Sequence, residues 1–283
     1  MMDEIVVAIG DVALALQPSG PEVGIRLQKV YQPFLSKGAE DSRLLVHWGP
    51  VPTRDHIQVI CASSRGWRVL RQSNRLVFEV DATDISPSAL ASMNSDLRSG
   101  DLHLLEACSS DGSYPAPLAR LVHIGLLSQG RGVMMHASGV RVGDEGILFA
   151  GTDGVGKTTT ARLWAQHADA AVLGDDQIIV RKRGEEYWMY STPWHGMACV
   201  ADAVPLKQIY VLRQDNQNRR TPIAPATATV QLLERSFPPL WSQEGMQFTL
   251  DFLGELCTSM TIHELGFVPD ASAVEFVRCS SDV

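Results

Sequence analysis

No apolar run in this chain approaches the ~18–20 residues that a membrane-spanning helix needs. A CxxC pair is missing too, and the cysteines at 61, 108, 199, 257 and 279 are far apart and odd in number. That spacing excludes a disulfide framework and a structural zinc site; it leaves buried or incidental thiols in a reducing compartment. The amino terminus has no basic stretch ahead of an apolar one, so a signal peptide is not expected and the cytoplasm is. Basic residues are in deficit: 24 lysines and arginines face 32 aspartates and glutamates, a net charge of −8. A protein that grips nucleic acid or an anionic membrane normally presents a basic face, so neither partner is expected. Internal repeats and low-complexity tracts are absent as well.

What is present is the composition of a folded globular chain, 45% hydrophobic and 20% charged over 283 residues. That length accommodates one large domain or two ordinary ones. The first 110 residues or so read as short strands: 5–9 and 12–16 around a Gly-Asp turn, then 44–48 and 57–61. Residues 68–70 and 76–80 follow, as a hairpin about Gln72-Ser73-Asn74. The small polar run 109–113 is a candidate linker, and Leu118, Leu121, Val122 and Leu126 give 115–127 a helical period. Beyond 130, strands alternate with a helix and tight turns. The expected organisation is a β-rich accessory domain over 1–112 and an α/β domain over 113–283, α+β overall.

Residues 151–158, Gly-Thr-Asp-Gly-Val-Gly-Lys-Thr, match G-x-x-x-x-G-K-[ST] in full. The strand-like Gly146-Ile147-Leu148-Phe149-Ala150 precedes them, and a helix start, Thr159 to Ala165, follows. In such a setting glycines let successive backbone N–H groups turn inward on phosphate oxygens, and the helix terminus adds partial positive charge. Lys157 would reach the β- and γ-phosphates and the Thr158 hydroxyl would ligate Mg²⁺.

Three further groups accompany the loop. The strand-like 170–174 ends in Asp175-Asp176, where a parallel strand beside the first would deliver carboxylates to a nucleotide. One carboxylate can hold a metal while its neighbour takes a proton from an incoming hydroxyl. Upstream, 133–140 forms a hairpin arm that carries His136 beside the loop's strand. Downstream, Trp194 and His195 in Ser191–Gly196 are candidates for a substrate groove, a tight turn with a packing Trp being the equal alternative; one of Arg213, Arg219 and Arg220 could stabilise transferred charge, but for any single one a solvated basic loop is the better reading.

His136-Ala137-Ser138, the glycine-bounded hairpin, the loop and Gly174-Asp175-Asp176, in this order, resemble the HPr kinase/phosphorylase and PEP carboxykinase superfamily. Pro193-Trp194, then Val204-Pro205-Leu206-Lys207 and 209–212, are most similar to the HPr-kinase-like serine kinases of peptide-modification clusters, including lasso-peptide kinases. The resemblance spans roughly 130–283. It implies ATP and Mg²⁺ as cofactors, with nucleotide bound by Gly151, Asp153, Gly154, Val155, Gly156, Lys157, Thr158 and Thr159. It also implies metal ligation by Thr158 and Asp176, and catalysis by Asp175 as base with His136 and Lys157, the two aspartate roles being exchangeable.

The implied acceptor is a serine or threonine of a peptide or small protein, with a ribosomal precursor peptide foremost, and the implied assembly is a homo-oligomer. A small-molecule kinase acting on a serine-like substrate and a non-catalytic nucleotide-binding regulator are the alternatives. The chain is too short for a PEP carboxykinase, and no carboxy-terminal segment matches the HPr kinase/phosphorylase signature, so neither HPr nor phosphorolysis is expected.

Overall fold

The computed structural model describes residues 4–25, 27–51, 57–64, 66–80, 88–105, 116–194 and 201–279. Contacts divide the chain into two units: 1–126 with 239–243, and 127–238 with 244–283. The boundary expected at 112, with its linker at 109–113, lies outside the described residues.

In the first unit, Gly10 and Asp11 both adopt positive φ, 60° and 53°. The chain therefore reverses in two residues, which pairs β1 (Ile5–Ile9) antiparallel with β2 (Val12–Pro18). A 3-10 turn (Lys29–Phe34) leads to β3 (Leu35–Ser36), β4 (Ser42–Trp48) and the hairpins β5 (Ile57–Ala62), β6 (Trp67–Gln72), β7 (Arg75–Val80), β8 (Ala89–Asn94) and β9 (Ser99–Leu104). Together they make one nine-stranded sheet in the order β3-β1-β2-β4-β9-β8-β7-β6-β5. Helix α1 (Ala116–Leu127) follows. Its Gly125 has no room for a Cβ because Leu97 stands 2.8 Å from that position.

The second unit is a mixed α/β body. Its elements are β10 (Val133–Val142), β11 (Glu145–Ala150), α2 (Lys157–His167), β12 (Ala171–Gly174), β13 (Gln177–Arg183) and β14 (Glu186–Tyr190). After these come β15 (Ala203–Gln214), β16 (Arg219–Pro222), α3 (Pro225–Glu234), α4 (Gln243–Ser259), β17 (Ile262–Phe267) and α5 (Ala271–Cys279). Two strands are long enough to serve three partners each: β10 pairs β11, β12 and β13, and β15 pairs β11, β14 and β17. β10 pairs β13 with its first half and β11 with its second; β15 pairs β14 with its start and β11 with the remainder. The circuit β11-β10-β13-β14-β15 thereby closes on itself.

Strand alternation then sorts the side chains into two faces. Met135, Ala137, Leu148, Ile178, Met189 and Val211 turn inward to a core completed by Leu232 of α3 and by Leu253 and Leu256 of α4. Val140, Ile147, Phe149, Tyr210 and Phe267 turn outward to a second core, closed by Trp164 of α2 and by Val274 and Val277 of α5. Both cores press on β11, so the strand that enters the glycine loop is fixed on either side.

The sequence expectation of a parallel strand beside β11 carrying the acidic pair is corrected here. The parallel neighbour of β11 is β15, whereas β12 lies across β10 and is antiparallel to it. On either side of Asp175-Asp176, Gly174 at the end of β12 lies opposite Gly139 and Gln177 at the start of β13 lies opposite His136, in one register; earlier in β12 the register shifts by one residue. The acidic pair is thus a bend within one run along β10, directly across from the segment that bears His136.

Candidate functional site

The loop 151–156 joins β11 to α2, the strand–loop–helix order that its composition leads one to expect. Gly154 and Gly156 have φ of 78° and 114°, a backbone that L side chains rarely adopt. At Gly156 a Cβ would also sit 2.7 Å from the Phe267 ring. The α2 terminus has no side-chain cap and no acidic residue in its first turn. Its first N–H groups therefore point out of the helix end unanswered by side chains, the usual basis of an anion site.

The loop is tied down at several points. The Gly151 N–H donates to the His136 carbonyl (3.2 Å), and Gln214 at the end of β15 donates to the Gly154 carbonyl (3.1 Å). Lys157 is only 6% exposed, and its Nζ donates back to the Thr152 carbonyl (3.1 Å). Burial pushes its pKa down, while Asp176, Asp153 and Asp175 pull it back up.

Each aspartate of the pair has a different partner. The Thr158 hydroxyl donates to Asp175 Oδ2 at 3.3 Å, and Asp175 is buried. His136 Nε2 lies 2.9 Å from Asp176 Oδ1 and 3.2 Å from Asp153 Oδ1. Asp176 also accepts from the Gln177 side-chain amide (3.2 Å), and its carbonyl takes the Ala137 N–H (3.0 Å). The hydrogen bond from His136 is the largest cause of a lowered Asp176 pKa, partly opposed by burial. The expectation that groups Thr158 with Asp176 is therefore not the grouping found, because Asp175 is the carboxylate that faces α2.

Two donor sets could hold a cation. Thr158 with Asp175 offers hard oxygens, which suit Mg²⁺. His136, Asp153 and Asp176 place one ligand atom each within 4.8 Å of one another, and their imidazole better suits a transition ion.

Other candidates fall out differently. Thr192 donates to the Gln177 carbonyl (3.0 Å), which brings its segment beside the acidic pair, but Trp194 is buried and His195 lies outside the described residues. Arg213 is held by Asp215 (2.9 Å) and Glu264 (3.1 Å), and Arg219 leans on Asp215 (3.5 Å). Burial lowers the pKa of His263, and the charge of Arg220 lowers it further. Sequence reasoning passed over Gln177, Gln214 and Arg235. The last accepts the His136 N–H on its carbonyl (2.8 Å), directly across from the imidazole-bearing residue. Nothing local marks these three, since their importance comes from strand register alone.

Fold and site by themselves define a mixed α/β chain with two large sheets and a glycine loop set between a strand and an uncapped helix. No family model matches the chain, and no curated protein does. Among solved structures it is similar to the HPr(Ser) kinase/phosphatase from Coxiella burnetii, at 10% identity and a TM-score of 0.31. That match covers 53% of this chain and 92% of the other. A likeness so slight supports no statement about activity. Among the described residues, no helix is long and apolar enough to cross a membrane.

Proposed function

We propose that the protein is an ATP-dependent phosphotransferase that moves the γ-phosphoryl group to a serine or threonine hydroxyl of a peptide or small protein. The observation that carries this reading is the pair of contacts Thr158–Asp175 and His136–Asp176 at the mouth of one glycine loop. A protein that only binds nucleotide needs the first contact; the second supplies a carboxylate beside an imidazole, which is acid–base equipment.

Magnesium, bound with the nucleotide, would supply charge neutralisation between the phosphates. Thr158 and Asp175 would hold it. Lys157 and the loop N–H groups would exchange their present bonds for phosphate oxygens. Asp176, a carboxylate and so ionised at neutral pH, would accept the proton of the acceptor hydroxyl, and His136, hydrogen-bonded to it, would orient it. This exchanges the roles of Asp175 and Asp176 relative to those the resemblance implies. Transfer of this kind relies mainly on positioning and electrostatics, for which a rigid frame suffices. The nine-stranded sheet of the first unit is proposed as the docking surface for the acceptor, through its β5 edge.

Labelled ATP, Mg²⁺ and a panel of peptides and small hydroxyl compounds test the reading. Label is expected on a peptide serine or threonine, and Lys157→Ala is expected to abolish it. Label passing only to free serine or to water would sink the peptide-kinase assignment.

A further inference from the structure

Far from the glycine loop, at the opposite ends of the same strand and helix, the second unit contains a cavity of about 410 Å³. Its floor is Val142, Ile147 and Trp164. The floor is braced from behind, because Trp164 leans on Phe149 (ring centroids 5.8 Å) and Phe149 stacks on Tyr210 (5.7 Å). The Tyr210 hydroxyl in turn donates to Gln208 Oε1 (2.8 Å), on the wall. A cavity of this size, apolar below and fixed in advance, has the form of a small-molecule site.

Its rim carries charge of both signs. Glu145 opens β11, and Glu275 and Arg278 stand about one helical turn apart on α5. None of these three has an ion pair among the described residues. Lys207 completes the rim. The β11–β15 ladder shifts register between Gly146↔Leu206 and Ile147↔Gln208, so Lys207 is the extra residue of a β-bulge. Bulges characteristically re-aim a side chain at a site, and this one turns Lys207 into the cavity wall. Its pairing with Glu186, 3.5 Å apart and exposed, is weak enough to yield to a ligand.

We infer that this cavity binds a small zwitterion with an apolar body, the chemistry of an apolar α-amino acid. The side chain rests on the Trp164 floor, the carboxylate meets Arg278 and Lys207, and the ammonium meets Glu145 and Glu275. A purely apolar ligand would leave the rim unused, and a ligand with one charge would meet like charge on half of it. The inference is independent of the nucleotide chemistry proposed above.

Calorimetric titration of the full chain with L-phenylalanine and L-leucine tests it, with 2-phenylethylamine and 3-phenylpropionate as one-charge controls. Saturable binding of an amino acid is expected, with each control about tenfold weaker or worse, as loss of a charge-assisted hydrogen bond implies. Glu275→Gln and Arg278→Gln lie on exposed positions and should fold normally; each is expected to weaken the amino acid about tenfold. Absence of saturable heat up to about 10 mM, equal binding of a control, or unchanged affinity in both variants would overturn the assignment. Binding that survives in Lys157→Ala is the expected sign that the nucleotide site is not its source.

Discussion

At the scale of single residues, the site turns on which way two neighbouring carboxylates face. Successive residues of a near-continuous strand point to opposite sides. Asp175 therefore meets Thr158 on the α2 side while Asp176 meets His136. The dipeptide is conspicuous in the sequence, but its phase is not, because phase is set by pairing with β10 some 40 residues earlier. His136, Lys157 and Thr158 could be read from motif and spacing; Gln177 and Arg235 could not, for the same reason. Asp176→Asn is expected to leave nucleotide affinity within about threefold (under 0.7 kcal/mol) and to cut transfer by at least 10²-fold, read by equilibrium binding and single-turnover labelling. Asp175→Asn is expected instead to raise the Mg²⁺ concentration needed for half-maximal nucleotide binding. If the two phenotypes come out interchanged, Asp175 is the base.

At the scale of elements, the short strands of the first hundred residues were legible because a short apolar run bounded by turn residues is a local signal. β1, β2, β4 and β7 all stand where those runs put them. What remained hidden was partnership: that β2, β4 and β9 run parallel, and that β10 and β15 each serve three neighbours. A hydrophobic period says which face is buried, but not against what.

The loop–helix junction shows how far such a local feature depends on distant sequence. Gly156 needs its glycine both for φ of 114° and because Phe267, from β17, fills the space beside it. Gly156→Ala is expected to cost about 1–3 kcal/mol of stability and to weaken nucleotide binding. Urea unfolding and nucleotide titration of the same preparation would register both effects. A variant as stable as the parent would show that the loop backbone can relax away from Phe267.

At the scale of the whole molecule, acid sensitivity should reside in a residue of the first unit rather than in the glycine loop. His123 of α1 is 1% exposed, and burial drives its pKa down to about 4, partly opposed by its hydrogen bond to the Ala119 carbonyl. The folded value lies below the unfolded one, so between pH 6.5 and about 4 the unfolded chain holds the extra proton. Stability should fall across that window as pH is lowered, by about 3 kcal/mol at most from this group, and no further below it. Burial shifts His103 and His263 in the same direction. His123→Phe is expected to reduce the slope of stability against pH by about one proton in denaturant titrations. An unchanged slope would move the acid sensitivity elsewhere.

The closed strand circuit also imposes an order of assembly. β11 acquires one neighbour at once, from the hairpin with β10, but its parallel partner β15 begins only at Ala203. Gln214, which ties down the Gly154 carbonyl, ends that strand, and Phe267 comes later still. Closing such long loops is slow compared with forming a hairpin. A nascent chain would thus expose the open edge of β11 until β15 had been made, and the glycine loop would take shape late in folding rather than at the start. Nucleotide capture would then report that β15 and β17 are both in place.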